Sequence, residues 1–380
     1  MARTTHQPAR ASNSEKPPPR ASKPAAIQPS REANGTAQAS AITAATATST
    51  RPMRKRWALP AESMLQASAM PQPCHAGGAG EIGAEAFHTG GVIRVGTAGW
   101  DYPDWQGVVY PRPKPKGFDP LAYLARYFDT VEINSTFYGP AKAAVARGWV
   151  DRIAPNPDFR FTAKLWRRFT HERTTAWTGE DVRVAREAFD VLHEAGRLGA
   201  VLLQFPWSFR HGEDSREWLS DLFAAFAHLP LVLEVRHASW ASGDVLEWLS
   251  AAGVGLVNVD QPLFARSLGP SAHATSAVGY VRLHGRNYKE WWRKDAGRDE
   301  RYDYLYTPDE LASWVDRLRD LSTRTREVYA VTNNHRLGKA PANAEMIEAM
   351  LTGEKVPGPP TLFERYAREL APFVVPEDRG

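Results

Sequence analysis

The chain has 380 residues, of which 43% are hydrophobic and 24% charged, and its formal net charge of +4 is too small for a polybasic nucleic-acid-binding chain. No run of about 18 apolar residues occurs, which excludes a membrane-spanning helix. The single cysteine, Cys74, excludes an internal disulfide and favours a reducing, cytoplasmic setting.

Residues 1–90 differ in composition from the rest of the chain. Up to about Arg51 they are mainly Ala, Ser, Thr, Pro and Gln, and such a segment cannot bury enough apolar surface to offset the entropy lost on folding. Of the 47 Lys and Arg and the 43 Asp and Glu, 10 and 5 lie here, so 37 and 38 remain for the other residues. We therefore predict a disordered, basic extension (a plain tail, a targeting segment or a misassigned start) before one nearly neutral domain over residues 91–375.

Eight short runs rich in β-branched and apolar residues follow the extension and predict eight strands. In chain order these are VIRVGT (92–97), TVEINS (130–135), FRFTAK (159–164), AVLLQF (200–205), LVLEVR (231–236), VGLVNVD (254–260), GYVRLH (279–284) and VYAVTN (328–333).

Helix signals separate these strands. Asp119 and Pro120 are typical of an N-cap and first turn, and Thr307 and Pro308 repeat the pattern before the last strand. Further helices are predicted over 142–153, 179–195, 214–227, 243–251 and 342–351, with a closing helix over 361–373. Strict alternation of strand and helix implies a parallel sheet, and eight units favour a closed (β/α)8 TIM-like barrel over an open doubly wound sheet. No Gly-x-Gly-x-x-Gly motif follows any of these strands, which weakens a dinucleotide-binding interpretation.

The strands carry polar residues with a period of two, and alternate residues of a barrel strand face the interior. If the bulky apolar residues face the helices, one polar set faces inward, mostly at the carboxyl ends of the strands, where such barrels hold their active sites. This set comprises Arg94, Glu132, Asn134, Lys164, Gln204, Glu234, Arg236, Asn258, Asp260, Arg282, His284 and either Asn333 or Asn334.

Aromatic residues are concentrated in the segments that follow the strands. They include Trp100, Tyr102, Trp105, Tyr138, Trp166, Phe169, Trp207 and Trp240. The long segment 285–306 adds Trp291 and Trp292 beside cations such as Arg286 and Lys294. Each ring taken alone fits ordinary loop packing, but together they predict a cleft in which sugars or bases stack, covered by a movable loop.

Several motifs, in fixed order, resemble the YecE-like family, which is labelled a domain of unknown function. They are GTAGWDYPDW, VEINSTFY, FTAKLWRRFTH, LLQFPWSF, LEVRHASW, RLHGRN and VTNNHRLGKAPANA, and the resemblance extends from Ile93 to Phe373. It implies a TIM-like barrel and supplies no activity. The family motifs fall on Gly96, Trp100, Glu132, Asn134, Lys164, Gln204, Glu234, Arg236, His284, Gly285, Asn333, Asn334 and Asn343.

The favoured hypothesis is an enzyme that acts on a sugar-like or phosphorylated small molecule. Glu132 and Glu234 would be general acid and base, Lys164 would stabilise negative charge, and His284 would move a proton or orient the substrate. The side chains predicted to bind the substrate are Trp100, Asn134, Gln204, Arg236, Asp260, Arg282, Arg286, Trp291, Asn333 and Asn334.

Three alternatives are open at the level of sequence. The charged set could be a structural salt-bridge network, or Glu132, Glu234, Asp260 and His284 could bind a divalent metal. The aromatic, basic mouth could instead bind a nucleotide or single-stranded nucleic acid without catalysis. No motif identifies a cofactor, and no membrane partner is expected.

Overall fold

Eight parallel strands close into a barrel. The computed structural model describes residues 90–377 except positions 292, 294 and 296, and only the backbone of Arg298. The barrel strands are β1 (Val92–Ala98), β2 (Thr130–Ile133), β3 (Arg160–Lys164), β4 (Leu198–Gln204), β5 (Leu231–Glu234), β6 (Gly255–Asp260), β7 (Val278–Leu283) and β8 (Glu327–Thr332). Each strand pairs with the next, and the β1–β8 ladder closes the ring. The predicted (β/α)8 barrel is confirmed, and the open sheet is not observed among the described residues.

Helices connect and surround the strands. Their bounds are α1 (Pro120–Leu124), α2 (Ser135–Tyr138), α3 (Ala143–Ile153), α4 (Arg167–Thr170), α5 (Gly179–Glu194), α6 (Glu213–Ala225), α7 (Gly243–Ala251), α8 (Tyr288–Trp291), α9 (Arg298–Arg301), α10 (Pro308–Arg324), α11 (Lys339–Thr352), α12 (Pro360–Arg365) and α13 (Ala367–Leu370). A short parallel pair, β9 (Val356–Gly358) and β10 (Val374–Pro376), follows the barrel. The predicted disorder of residues 1–90 falls outside the described residues except for Gly90. Within the described part of the chain, no helix combines the length and apolar character needed to cross a bilayer.

The capping residues expected from the sequence begin their helices as predicted. The Asp119 side chain accepts a hydrogen bond from the Ala122 amide at the start of α1. Thr307 and Glu310 form a reciprocal capping box at the start of α10, which satisfies two amides that the helix itself cannot. The predicted closing helix over 361–373 is instead two short helices, α12 and α13, because Tyr366 leaves the helical conformation between them.

The barrel interior has its own small apolar core, separate from the larger core between strands and helices. Its members are Ala98, Ala200, Leu202, Val232, Val257, Val259, Tyr280, Tyr329 and Val331. Arg94, expected among the polar residues of the mouth, lies near the amino end of the barrel instead. There it forms an ion pair with Glu327 at 3.0 Å and lies over the Tyr329 ring.

Gly96 in β1 allows the closest approach to β2. A Cβ atom at this position would lie 1.9 Å from the carbonyl oxygen of Thr130, its register partner, and backbone atoms in a ladder move only at a cost. We expect Gly96→Ala to lower the free energy of unfolding by about 1–3 kcal/mol or more. Urea denaturation would measure the change.

Gly148, in the middle of α3, provides the matched control because a Cβ atom added there would meet no other atom within 4 Å. Gly148→Ala should stabilise the protein by up to about 1 kcal/mol, because glycine is a poor helix former. Equal effects of the two substitutions would contradict this account of the barrel wall.

Candidate functional site

Four charged side chains form a continuous chain of ion pairs inside the carboxyl end of the barrel. Arg282 on β7 donates to Glu132 on β2 at 2.7 Å and to Glu234 on β5 at 2.5 Å. Arg236, two residues beyond Glu234, donates to the same carboxylate at 2.7 Å and 2.9 Å. Two strands far apart in sequence are thereby joined across the interior by one planar guanidinium.

These ion pairs are buried. Glu132 and Glu234 have no exposed surface, Arg282 is 1% exposed, and only Arg236 reaches the surface, with 14% of its side chain. Burial alone would raise the pKa of Glu234, but Arg282, Arg236 and His284 hold it well below its usual range. Burial alone would lower the pKa of Arg282, but Glu132 and Glu234 raise it above its ordinary value. Glu234 and Arg282 are therefore both ionised.

Tyr280 and Thr162 form a hydrogen-bonded chain that ends on Glu132. The Tyr280 hydroxyl donates to Glu132 Oε2 at 3.0 Å, and the Thr162 hydroxyl lies 2.7 Å from the Tyr280 oxygen. Because the Tyr280 hydroxyl gives its single proton to Glu132, Thr162 donates to Tyr280. The sequence prediction missed both residues, although Tyr280 lies two positions before Arg282 and the strand period already placed it inside.

His284 continues the interior row of β7 above Arg282. Its Nε2 lies 3.2 Å from Arg236 Nη2, and its Nδ1 lies 2.9 Å from the side-chain amide of Asn333. Burial and the neighbouring Arg236 lower the pKa of His284 to about 3. The Nε2 atom of His284 also lies 3.4 Å from Glu234 Oε1, so a neutral ring that donates from Nε2 to this carboxylate accepts at Nδ1 from the side-chain amide of Asn333.

Lys164, at the end of β3, differs from the other cations of the cluster. It is partly exposed, and its Nζ lies 4.8 Å from the centre of the Phe137 ring. Among the residues that the structure describes, no hydrogen-bond or ion-pair partner contacts its ammonium. Burial, reinforced by the charge of Arg282, lowers the pKa of Lys164 to about 8.

Asn134 and Gln204 lie at the rim, partly exposed, where β2 and β4 end. The Gln204 amide nitrogen donates to the carbonyl oxygen of Phe205 at 3.3 Å, which leaves the amide oxygen of Gln204 free to accept. Strand parity brings Gln204 to the interior beside Glu234, its register partner on β5. These amides are available to a ligand at the mouth of the barrel.

The segment 285–306 covers His284. The buried ring of Trp291 lies 6.4 Å from the His284 ring, and the ring of Tyr302 lies 6.0 Å from it. Tyr302 also lies 5.7 Å from the ring of His335, whose Nε2 donates to a carboxylate oxygen of Asp299 in the same segment at 3.1 Å. The covering loop expected from the sequence is therefore present on this side of the mouth; Trp292 and Lys294 fall outside the described residues.

A second charged group lies outside the barrel wall. Asp260 accepts from Arg286 at 2.6 Å and from the indole of Trp314 on α10, and Arg286 also pairs with Glu310. The prediction that Asp260 and Asn258 face the interior is wrong, because Val257 and Val259 fill that side of β6. Asp260 and Arg286 thus make these contacts on the outer face of the barrel wall, whereas Glu132 lies inside the barrel. Together Asp260 and Arg286 anchor the segment 285–306.

Two more predicted binding residues point away from the ion-pair cluster. The Trp100 ring packs edge-on against Trp149 of α3, with 6.2 Å between ring centroids. The Asn334 amide donates to the Tyr304 carbonyl and to Asn343, whereas its neighbour Asn333 faces His284. Adjacent residues in an extended segment face opposite sides, so only one of the two asparagines could reach the mouth.

The metal hypothesis does not fit this geometry. Within residues 90–377, leaving aside the undescribed positions, no three His, Cys, Asp or Glu side chains are grouped so that they could hold a metal ion. Asp260 lies on the opposite face of its strand from the cluster. Arg282 and Arg236 occupy the carboxylate oxygens that a cation would need.

The sequence of the chain is similar to proteins of one family. Residues 94–364 match the family model described as "Protein of unknown function DUF72". The UPF0759 protein YunF of Bacillus subtilis is 27% identical over 274 residues, which cover 68% of this chain and 95% of that protein.

Two crystal structures of DUF72 family proteins are similar to the chain over the barrel. The protein from Thermotoga maritima is 32% identical with a TM-score of 0.59, covering 68% of this chain and 99% of its own. The protein from Enterococcus faecalis is 25% identical with a TM-score of 0.61, covering 69% of this chain and 96% of its own.

The central position of Arg282 predicts a large effect on stability. Arg282→Met leaves two buried carboxylates without their shared cation, and breaking a buried ion pair in this way costs about 3–5 kcal/mol. The urea midpoint should fall accordingly. Arg183→Met, which removes a cation from an exposed pair with Glu180 on α5, should leave the midpoint unchanged.

Glu132→Gln added to Arg282→Met distinguishes lost charge balance from lost packing. Glu132→Gln removes one of the two carboxylate charges that Arg282→Met leaves without a cation, so the double variant should be more stable than Arg282→Met alone. Additive destabilisation by the two substitutions would contradict the account.

The neutral, buried state of His284 predicts a pH dependence. Its pKa falls from the ordinary 6.5 to about 3 on folding, so below pH 6.5 the unfolded chain binds a proton that the folded chain does not. The folded state therefore loses stability as the pH falls, by at most about 1.4 kcal/mol per pH unit for this one group.

Gln is neutral at every pH in this range, so His284→Gln removes the effect. Between pH 6.5 and pH 5, the stability of the wild type should fall relative to this variant by roughly 1.7 kcal/mol. Chemical denaturation at several pH values measures both. A difference between the two proteins that does not change with pH would show that His284 is not held neutral.

Proposed function

The chain belongs to the DUF72 family, whose description assigns no activity, and we propose from the site itself that it is an enzyme acting on an anionic, sugar-like small molecule at the carboxyl end of the barrel. We take the YecE-like resemblance of the sequence to describe this same family. The observation that carries the proposal is the unpaired ammonium of Lys164 beside a cluster that is otherwise balanced in charge.

The charges of the cluster can be assigned one by one. Glu132 and Glu234 contribute two negative charges, and Arg282 and Arg236 contribute two positive charges that are fixed on them. His284 is neutral because of its low pKa. Lys164 therefore leaves the mouth with a positive charge, and a phosphate or carboxylate group is the complementary ligand.

The side chains of the cluster differ in exposure, and this difference suggests which of them bind a ligand and which position the others. Glu132 and Glu234 have no exposed surface and bind arginine, so they position the guanidinium groups and do not meet a ligand in this conformation. Lys164 and Arg236 reach the surface and can bind an anion. The amides of Gln204, Asn134 and Asn333 offer both donors and acceptors, which suits a substrate with several hydroxyl groups.

Ion pairing also favours a small ligand over single-stranded nucleic acid. Binding along a polyanion needs several uncompensated cations in a row. Arg236 and Arg282 are bound to carboxylates, and Arg286 is bound to Asp260 and Glu310. One unpaired cation in a cluster suits a single phosphate group better.

Calorimetric titration with glucose 6-phosphate, with glucose for comparison, tests the proposal. We expect the phosphorylated sugar to bind and glucose to bind far more weakly. Lys164→Met should weaken binding by about 10–100-fold, since a hydrogen bond to a charged group is worth about 1.5–3 kcal/mol.

Lys142→Met is the matched control, because Lys142 is 72% exposed on the helix side of the barrel and pairs with Glu187. It should bind like the wild type. The proposal is overturned if phosphorylated sugars do not bind at low salt, or if Lys164→Met binds as well as the wild type. It also fails if single-stranded DNA binds tightly and loses affinity steeply with salt, the result expected of a nucleic-acid-binding protein.

A further inference from the structure

Lys164 combines three features that a nucleophilic amine needs. It has no carboxylate partner among the described residues, so its nitrogen is not held by an ion pair. It projects into the barrel from the end of β3, directly beyond interior-facing Thr162. The residue as a whole is partly exposed, at the end of β3 that opens towards the mouth.

The surroundings of Lys164 separate it chemically from the other cations. Arg282 and Arg236 remain charged because a guanidinium is not deprotonated in proteins, and both are fixed on Glu234. Phe137 places an aromatic ring 4.8 Å from the amine nitrogen in place of a polar partner. An amine beside other cations and against an aromatic ring is the environment in which lysine becomes a nucleophile.

We propose that Lys164 attacks a carbonyl carbon of the substrate and forms an imine, so that the substrate class is phosphorylated aldehydes or ketones, including open-chain sugar phosphates. This inference rests on the proposed function, since it assigns a reaction to the same site. The positive charge of the Lys164 ammonium would attract the substrate, and the Nη1 group of Arg236, which Glu234 does not use, would then hold the phosphate while the carbonyl faces Lys164.

The step is balanced in atoms and charge. The ammonium first releases a proton, and the free amine forms a bond from nitrogen to the carbonyl carbon. The carbonyl oxygen becomes a hydroxyl group, takes up a proton and leaves as water while the second carbon–nitrogen bond forms. An ammonium ion and a carbonyl compound thus become an iminium ion and water, with no oxidant or reductant required.

The lowered pKa makes this step effective near neutral pH. With the pKa at about 8, roughly one-tenth of the Lys164 side chains carry a free amine at pH 7. An ordinary lysine, with a pKa of about 10.4, has roughly one in 2,500 in that form. The free-amine population of Lys164 is therefore higher by a factor of a few hundred.

Reductive trapping tests the inference directly. The full-length protein is incubated with dihydroxyacetone phosphate and sodium borohydride, digested with trypsin and analysed by mass spectrometry. Modification of Lys164 blocks cleavage after it, so the labelled peptide spans residues 161–167 and gains the mass of the probe less one oxygen atom. We expect Lys164 to be labelled at least ten times more than exposed Lys142, with labelling that rises from pH 6 to pH 8.

Lys164→Arg separates this inference from the proposed function. Arginine keeps the positive charge but forms no imine, so this variant should bind dihydroxyacetone phosphate in a titration and give no label in 161–167. Binding by the wild type without labelling of Lys164, or equal labelling of Lys142, overturns the imine and leaves the proposed anion site intact. Absence of binding by every phosphorylated probe overturns the proposed function and the imine with it.

Discussion

The ion bridge from Glu132 through Arg282 to Glu234 is the constraint on which the candidate site depends. Two carboxylates without exposed surface would be very costly in a barrel interior unless a cation met both. Arg282 meets both with separate nitrogens of one planar group, which also fixes the distance between β2 and β5. Arg236 and His284 then take positions dictated by the remaining oxygen of Glu234.

The arrangement follows from the parity of the barrel strands. Tyr280 and Arg282 on β7, and His284 directly after it, all face the interior. Towards the carboxyl end the interior row of this strand therefore holds a packed phenol ring, then a buried cation, then a neutral imidazole. On the other face of the same wall, Asp260 and Arg286 hold the segment 285–306 against α10. One polar network thus organises the interior, and a second holds the loop that covers it.

The sequence predicts the barrel and the core of the cluster because period-two alternation is a local signal. Glu132, Glu234 and Arg282 each stand between bulky apolar neighbours that must face the helices, so their direction follows from the strand alone. Asp260 shows where the rule fails: both faces of β6 are buried, and its direction is decided by Trp314 and Arg286, which lie far along the chain. The position of Tyr302 over His284 depends on how the long segment 285–306 folds, for which the sequence holds no periodic signal.

Charge balance supports the proposal of a site over a purely structural network. Two carboxylates and two guanidinium groups already satisfy one another, and a network that served stability alone would end there. Lys164 adds an ammonium that no described carboxylate pairs with, and its low pKa shows that the folded state disfavours that charge. We infer that this unpaired cation at the open end of the barrel serves a ligand, as the proposed anion binding and imine formation both require.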